Sequence, residues 1–270
     1  MESGIYLYCL ARLSRLPPLP LLGPGVDGQN SLAVATYQDL AALWSPVPVE
    51  DFCGPEAEAR LRDLTWIGPR VIRHQEVVAG VMRHSPVLPT RFGTIFSSLA
   101  NLEKVLQRHY DTIAGFLERL TDREEWAVKG LVDKARARHE ILSLHLARHE
   151  DRLGALTPGK RYLEEQRLRA QAERELNPRL RGMLGQTLED LRVHALDFRE
   201  RPLRSQGDGD DGEEMLANWA FLVDRNQVAA LQAGIQAANA SHERYGLVLA
   251  PTGPWPPYSF CPSLVAEPDP

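Results

Sequence analysis

Between Leu168 and Leu188 an apolar residue returns every fourth position: Leu168, Ala172, Leu176, Leu180, Leu184 and Leu188. This spacing lays one stripe along a helix and predicts helix from Lys160 to about Val193. Asn177-Pro178 lies inside the pattern and should kink or split it, because proline lacks a donor and restricts the residue before it. The flanks of this helix limit the fold further. Before it, "EWAVKGLVD" alternates Trp126, Val128 and Val132 on one side, which is strand periodicity. After it, "VHALDFRERPL" and "EMLANWAFLVDR" read as strands joined by an exposed turn, "RSQGDGDDGEE". "DRNQVAALQAGIQAANASHE" reads as a helix with Asp224 as candidate N-cap, and "YGLVLAP" as the last strand. The order is β-α-β-β-α-β, which predicts a ferredoxin-like split arrangement. Right-handed crossovers would put both helices on one face of the sheet.

The first half is also α+β. "IYLYCL" is an opening strand, and "PPLPLLGPGVDGQ" is irregular because its prolines deny it a ladder. "SLAVATYQDLAALW" predicts a strand and then a short helix starting near Asp39. Glu56 to Met82 reads mostly as helix, broken at Gly68-Pro69. "PVLPTRFGTIF" alternates Leu88, Thr90, Phe92, Thr94 and Phe96 on one face, a strand pattern. One helix follows, with Leu99, Leu102, Leu106, Ile113, Phe116 and Leu120 as its apolar positions. The expected organisation is an N-terminal α+β domain (1–122), a C-terminal ferredoxin-like domain (123–251) and an extended Pro/aromatic tail (252–270).

A chain of 270 residues with 43% apolar residues can build two cores. Its net charge of −5 gives no general attraction for phosphate backbones, so nucleic acid is not an expected partner. The start, "MESGIYLYCL", has no basic leader, and no apolar run approaches the ~20 residues that span a bilayer. Cys9, Cys53 and Cys261 are odd in number and lack a C-x-x-C pair, which suits three free thiols in a reducing cytoplasm.

Candidate chemistry is sparse. His145 and His149 stand four apart, as metal-binding helices arrange imidazoles, but no H-E-x-x-H is present and a charged helix explains them. "GDGDDGEE" fails the offsets of a calcium loop: from Asp208, the sixth position is Glu213 where glycine is needed. No phosphate-binding glycine loop or nucleophile elbow occurs. The expectation is therefore no catalytic residue, no metal and no cofactor. "TRFGTIF" is more telling. Arg91 on an apolar strand must reach water or an acid, as a structural ion pair or as a partner contact. Gly93 marks a bulge or a close backbone approach.

"PVLPTRFGTIF", "EWAVKG" and "TGPWPPYSF", in this order and spacing, with "NWAFLVDR" before a helix, resemble the gas vesicle protein F/L family. The likeness runs from "IYLYCL" to Phe260. Thr90 stands where valine is usual and Thr252 where serine is. The Pro/Gly-rich loop at 16–30 is less family-like. The resemblance implies a non-catalytic accessory or minor structural protein of the gas vesicle. It would act in vesicle assembly by binding the small hydrophobic shell protein and other accessory proteins. It also implies a ferredoxin-like C-terminal domain, in agreement with the strand order. A scaffold that joins accessory proteins without touching the shell, and an enzyme with an interdomain cleft, are the alternatives.

The motif positions are the candidate partner-binding or interdomain residues: Arg91, Phe92, Gly93, Trp126, Lys129, Trp255, Pro256 and Tyr258. In "TGPWPPYSF" the prolines should end the last strand, and the segment should leave as an extended arm. Trp255, Tyr258 and Phe260 can then dock along it, as a clamp on the first domain or as a docking site for a partner.

Overall fold

The computed structural model describes residues 3–203 and 213–264. The chain divides into two compact units, Met1–Glu124 with Trp255–Pro270, and Glu125–Pro254. Both mix helix and sheet, so the class is α+β.

In the first unit, β1 (Ser3–Arg12) lies between β3 (Leu40–Pro48) and β4 (Val87–Pro89); β2 (Ala33–Tyr37) is the outer neighbour of β3, and the short β5 (Ile95–Phe96) also pairs with β1. Among the described residues four α-helices belong to this unit: α1 (Pro55–Arg62), α2 (Leu64–Met82), α3 (Leu99–Arg108) and α4 (Tyr110–Arg119). Central β1 has almost every residue buried, so its sequence is continuously apolar rather than alternating. Its register against β3 shifts between Leu7 and Cys9, a β-bulge. A bulge switches which residues face which side. Tyr6 before it, Tyr8 at it, and Cys9 and Ala11 after it all join the cluster formed with Val77, Val78 and Val81 of α2. The bulge thus adds two tyrosines to the side that packs on α2.

Four expectations for this unit need correction. The segment after Asp39 is not a helix but β3, paired with β2 through a two-residue turn, Gln38-Asp39. The run Leu40–Leu43 is wholly buried, and a short buried apolar run carries no period to tell strand from helix. The break in the first helical region falls at Asp63, not at Gly68-Pro69. Asp63 caps α2 by accepting from Thr65 N, and Pro69 sits inside that helix. The strand over Pro86–Phe96 is interrupted by a turn at Thr90–Thr94, where Gly93 has φ 82° and Thr94 N bonds to Arg91 O. The helix after it is two helices, α3 and α4, divided at His109.

The second unit runs β6 (Arg123–Asp133), α5 (Lys134–Arg148), α6 (Glu150–Gly154), α7 (Pro158–Arg192), β7 (Asp197–Glu200), β8 (Glu213–Asp224), α8 (Val228–His242) and β9 (Leu247–Trp255). Its sheet has the order β7-β8-β6-β9. Val128 and Val132, alternate residues of β8 from Ala217 to Val223, and Leu247 and Leu249 form one core with α5, α7 and α8. The four-residue stripe of α7 is buried at Leu168, Ala172, Leu176, Leu180 and Leu184. That burial carries α7 unsplit across Pro178, although an interior proline costs about 3 kcal/mol. Asp224 precedes a short 3-10 turn and makes no side-chain cap there; α8 begins after Gln227. β9 does not end at its prolines but continues through Pro251 and Pro254 to Trp255. It is an edge strand, where a residue without an N–H costs no ladder bond on the open side. The turn expected from Arg204 to Gly212 lies outside the described residues.

Candidate functional site

The two motifs flanking the chain's middle meet on one helix residue, His74. It falls on the buried stripe of α2, with Val77, Val78 and Val81 at helical offsets, and is 1% exposed. A buried imidazole must place both nitrogens. Nε2 lies 3.1 Å from Thr90 O, and Nδ1 lies 2.9 Å from Tyr6 Oη. A carbonyl oxygen only accepts, so Nε2 carries the proton and Tyr6 donates to Nδ1. The Tyr6 hydroxyl in turn accepts from Gly93 N at 3.2 Å. Tyr258 from the chain end completes the group: its hydroxyl lies 3.3 Å from His74 Nε2 and accepts from Gln75 Nε2 at 3.1 Å. Beside it, Tyr8 Oη accepts from Val26 N at 2.6 Å and meets Ser45 Oγ at 2.7 Å. Tyr6, Tyr8, Phe52, Phe92 and His74 pack ring against ring, stacked, tilted or edge-on, with centroids 4.9–6.0 Å apart.

Burial dominates the electrostatics. It pushes His74 down to about 4, partly opposed by the Thr90 carbonyl. It pushes Tyr8 up to about 12 and raises Tyr6 and Tyr258 further above the ordinary phenol range. Cys9, fully buried, is raised to about 12. Near neutral pH the imidazole is therefore uncharged and the hydroxyls keep their protons. Such a group pins the segments that carry it together.

The anticipated residues fall in two places. Phe92 is half-buried in the aromatic cluster, Gly93 bonds to Tyr6, Pro256 is buried, and Tyr258 reaches His74. Phe260 is buried, and Cys261 Sγ donates to Pro89 O at 3.8 Å. Arg91 and Trp255 are exposed, the tryptophan by 46%. Arg91 thus reaches water rather than lying along an apolar strand. Trp126 and Lys129 belong to the second unit. There Trp126 packs partly against the core and Lys129 is exposed. Gly253, at φ 152°, lies so close to Trp126 that an added Cβ would be 3.0 Å from its Cδ2 and 3.1 Å from Glu125 O. Gly253→Ala is expected to cost about 2 kcal/mol in urea unfolding, since both the dihedral and the contact resist it; an unchanged midpoint would rule that packing out. Sequence reading missed His74, Tyr6 and Tyr8. The available signal was a histidine in step with the valines of an apolar stripe.

His145 is buried on α5 and bonds Glu175 Oε2 at 2.9 Å, while His149 lies past the helix end. The two do not share a helix face. Among the described residues no His, Cys, Asp and Glu group is arranged to hold a metal ion. No helix among them is long and apolar enough to cross a membrane.

A family described as "Gas vesicle synthesis protein GvpL/GvpF" matches residues 4–262. Gas vesicle protein L of Streptomyces sp. is 30% identical over 93% of this chain and 90% of its own length. Gas vesicle protein F of the same organism is 30% identical over 94% of this chain and 98% of its own. Gas vesicle protein L1 of Halobacterium salinarum is 27% identical over 98% and 92%. In fold, the chain is similar to the crystal structure of gas vesicle protein GvpF from Anabaena sp., with TM-score 0.67, 18% identity and coverage of 98% of this chain and 100% of that one. GvpF from Microcystis aeruginosa gives TM-score 0.64 at 18% identity, covering 96% and 99%.

Proposed function

The chain belongs to the gas vesicle synthesis protein GvpL/GvpF family, and on that premise we propose that it is a non-catalytic assembly protein of the gas vesicle. It is a gas-vesicle-associated protein. In this reading it works in the cytoplasm and binds the small hydrophobic shell protein and other accessory proteins. A shell protein destined to face gas exposes apolar surface before assembly, and such surface aggregates. A binder that covers it keeps it available.

The observation that carries this reading is the way the His74 group holds its two motifs. Thr90–Thr94 and Pro256–Phe260 are fixed from beneath, while Arg91 within the first and Trp255 next to the second stay exposed. Arginine and tryptophan are the side chains that most often dominate binding surfaces. A rigid mount spares them the ordering cost of association. We also read the second unit as ferredoxin-like; the sheet order β7-β8-β6-β9 and the helices between its strands support this.

Co-expression tests the reading. The shell protein should stay soluble with this chain and be pulled down with it. Arg91→Ala and Trp255→Ala should each weaken that capture by roughly tenfold or more, about 1.4 kcal/mol, while the melting temperature stays near wild type. No gain in soluble shell protein would sink the proposal. A Trp255→Ala protein that melts far lower would reassign the ring to holding the fold.

A further inference from the structure

Among the described residues the two sheets have five outer strands; β5 has only two residues, and three of the other four are blocked against pairing with another chain. β4 has three residues, ends in Pro89, and has Cys261 against that proline's carbonyl. β7 is short and carries Asp197, Arg199 and Glu200. β9 contains Pro251 and Pro254. Proline, charge, shortness and covering are the devices by which sheet proteins protect their edges. The outer strand of the first unit, β2, carries neither proline nor charge, although α3 approaches it and Tyr37 meets Tyr110 edge-on. Its sequence is Ala33-Val34-Ala35-Thr36-Tyr37.

The pairing of β2 with β3 fixes which of its backbone groups face out. Tyr37 opposes Leu40 across a two-residue turn, so Tyr37, Ala35 and Ala33 exchange bonds with β3. Val34 and Thr36 therefore direct N–H and C=O away from the sheet. Among the described residues neither makes a hydrogen bond on that side. Thr36 is exposed and Val34 half-buried.

We propose that β2 is a self-association surface, pairing antiparallel with β2 of a second copy about a two-fold axis at Ala35. The sequence is complementary to itself in this register. Ala33 falls opposite the partner's Tyr37, Val34 opposite the partner's Thr36, and Ala35 opposite the partner's Ala35. Small faces large, and no like charges meet. The outward groups match as well: Val34 and Thr36 form the hydrogen-bonded pairs, twice by symmetry, and the two Ala35 residues form the closer pair without bonds. Any one-residue slip would set outward groups against inward ones. This proposal stands apart from the shell-protein reading, since it uses neither Arg91 nor Trp255.

Sedimentation velocity over a concentration series tests it on the full chain. Wild type should show a concentration-dependent monomer–dimer equilibrium. Thr36→Pro removes a donor that has no partner within the chain, and should raise the dissociation constant at least ~10-fold. In a Cys53→Ser background, Ala35→Cys should form an intermolecular disulfide with oxidised glutathione, because Cα atoms in such pairs stand about 4.5 Å apart. The Cys53→Ser parent should not. A wild-type protein that stays monomeric overturns the proposal, as does a dimer unaffected by Thr36→Pro. If Thr36→Pro does not fold, the Ala35→Cys cross-link decides, and its absence overturns the pairing.

Discussion

Tyr6→Ala is expected to destabilise the first unit by about 4 kcal/mol, a fall in melting temperature of roughly 10 °C. The ring is fully buried and touches Tyr8, Phe52, His74 and Phe92. Its removal leaves an aromatic-sized cavity. It also takes the donor from His74 Nδ1 and the acceptor from Gly93 N. Tyr6→Phe separates the two losses: it keeps the ring and should cost only about 1–2 kcal/mol. Urea unfolding of both proteins measures the split. If Tyr6→Ala costs no more than Tyr6→Phe, the ring does not organise this core.

The second large effect is on acid stability. Folded His74 titrates near 4, against an ordinary value of 6.5. Above pH 6.5 the imidazole is neutral in both folded and unfolded chains, and stability is at its full value. Between pH 6.5 and 4 the unfolded chain binds a proton that the folded one refuses, so stability falls as pH falls. The total loss is about 3 kcal/mol, and below pH 4 this contribution is flat. His74→Gln keeps an amide donor for the Thr90 carbonyl but does not titrate. On going from pH 7 to pH 4.5, the wild type should therefore lose about 2 kcal/mol more unfolding free energy than His74→Gln loses. Carboxylates titrate in both proteins and cancel in the comparison. Parallel pH profiles would mean that His74 is charged in the fold.

How much of this was legible depended on whether a pattern had one cause. The α7 stripe was, because Ala172, Leu176, Leu180 and Leu184, four apart on a long helix, pack into the same core. The opening strand of the second unit was too, since Trp126, Val128 and Val132 of β6 alternate toward one core. β3 was not: buried on both faces, Leu40–Leu43 carry no period. Pro69, Pro178 and Pro254 do not break their elements as their local chemistry suggests. A proline's local cost is fixed, but burial on either side of it, or an open sheet edge, can outweigh or avoid that cost. The family resemblance rested in part on residues that lie around His74, yet His74 itself was invisible, because only tertiary contact turns a stripe histidine into a junction. The bulge in β1 was equally hidden, since nothing in "IYLYCL" announces a change of parity.

The division of the chain carries a consequence for its biosynthesis. Residues 125–254 form a unit spliced into the chain of the other, whose second piece, from Trp255 onward, is translated after it. Tyr258 follows His74 by 184 positions, and its bond to the imidazole waits until all of them have been made. A polypeptide cut short before that tyrosine could hold a finished second unit and still lack the last bond of the first. The first unit thus draws on residues from both sides of the second, and its His74 group is complete only in a chain that extends past Tyr258.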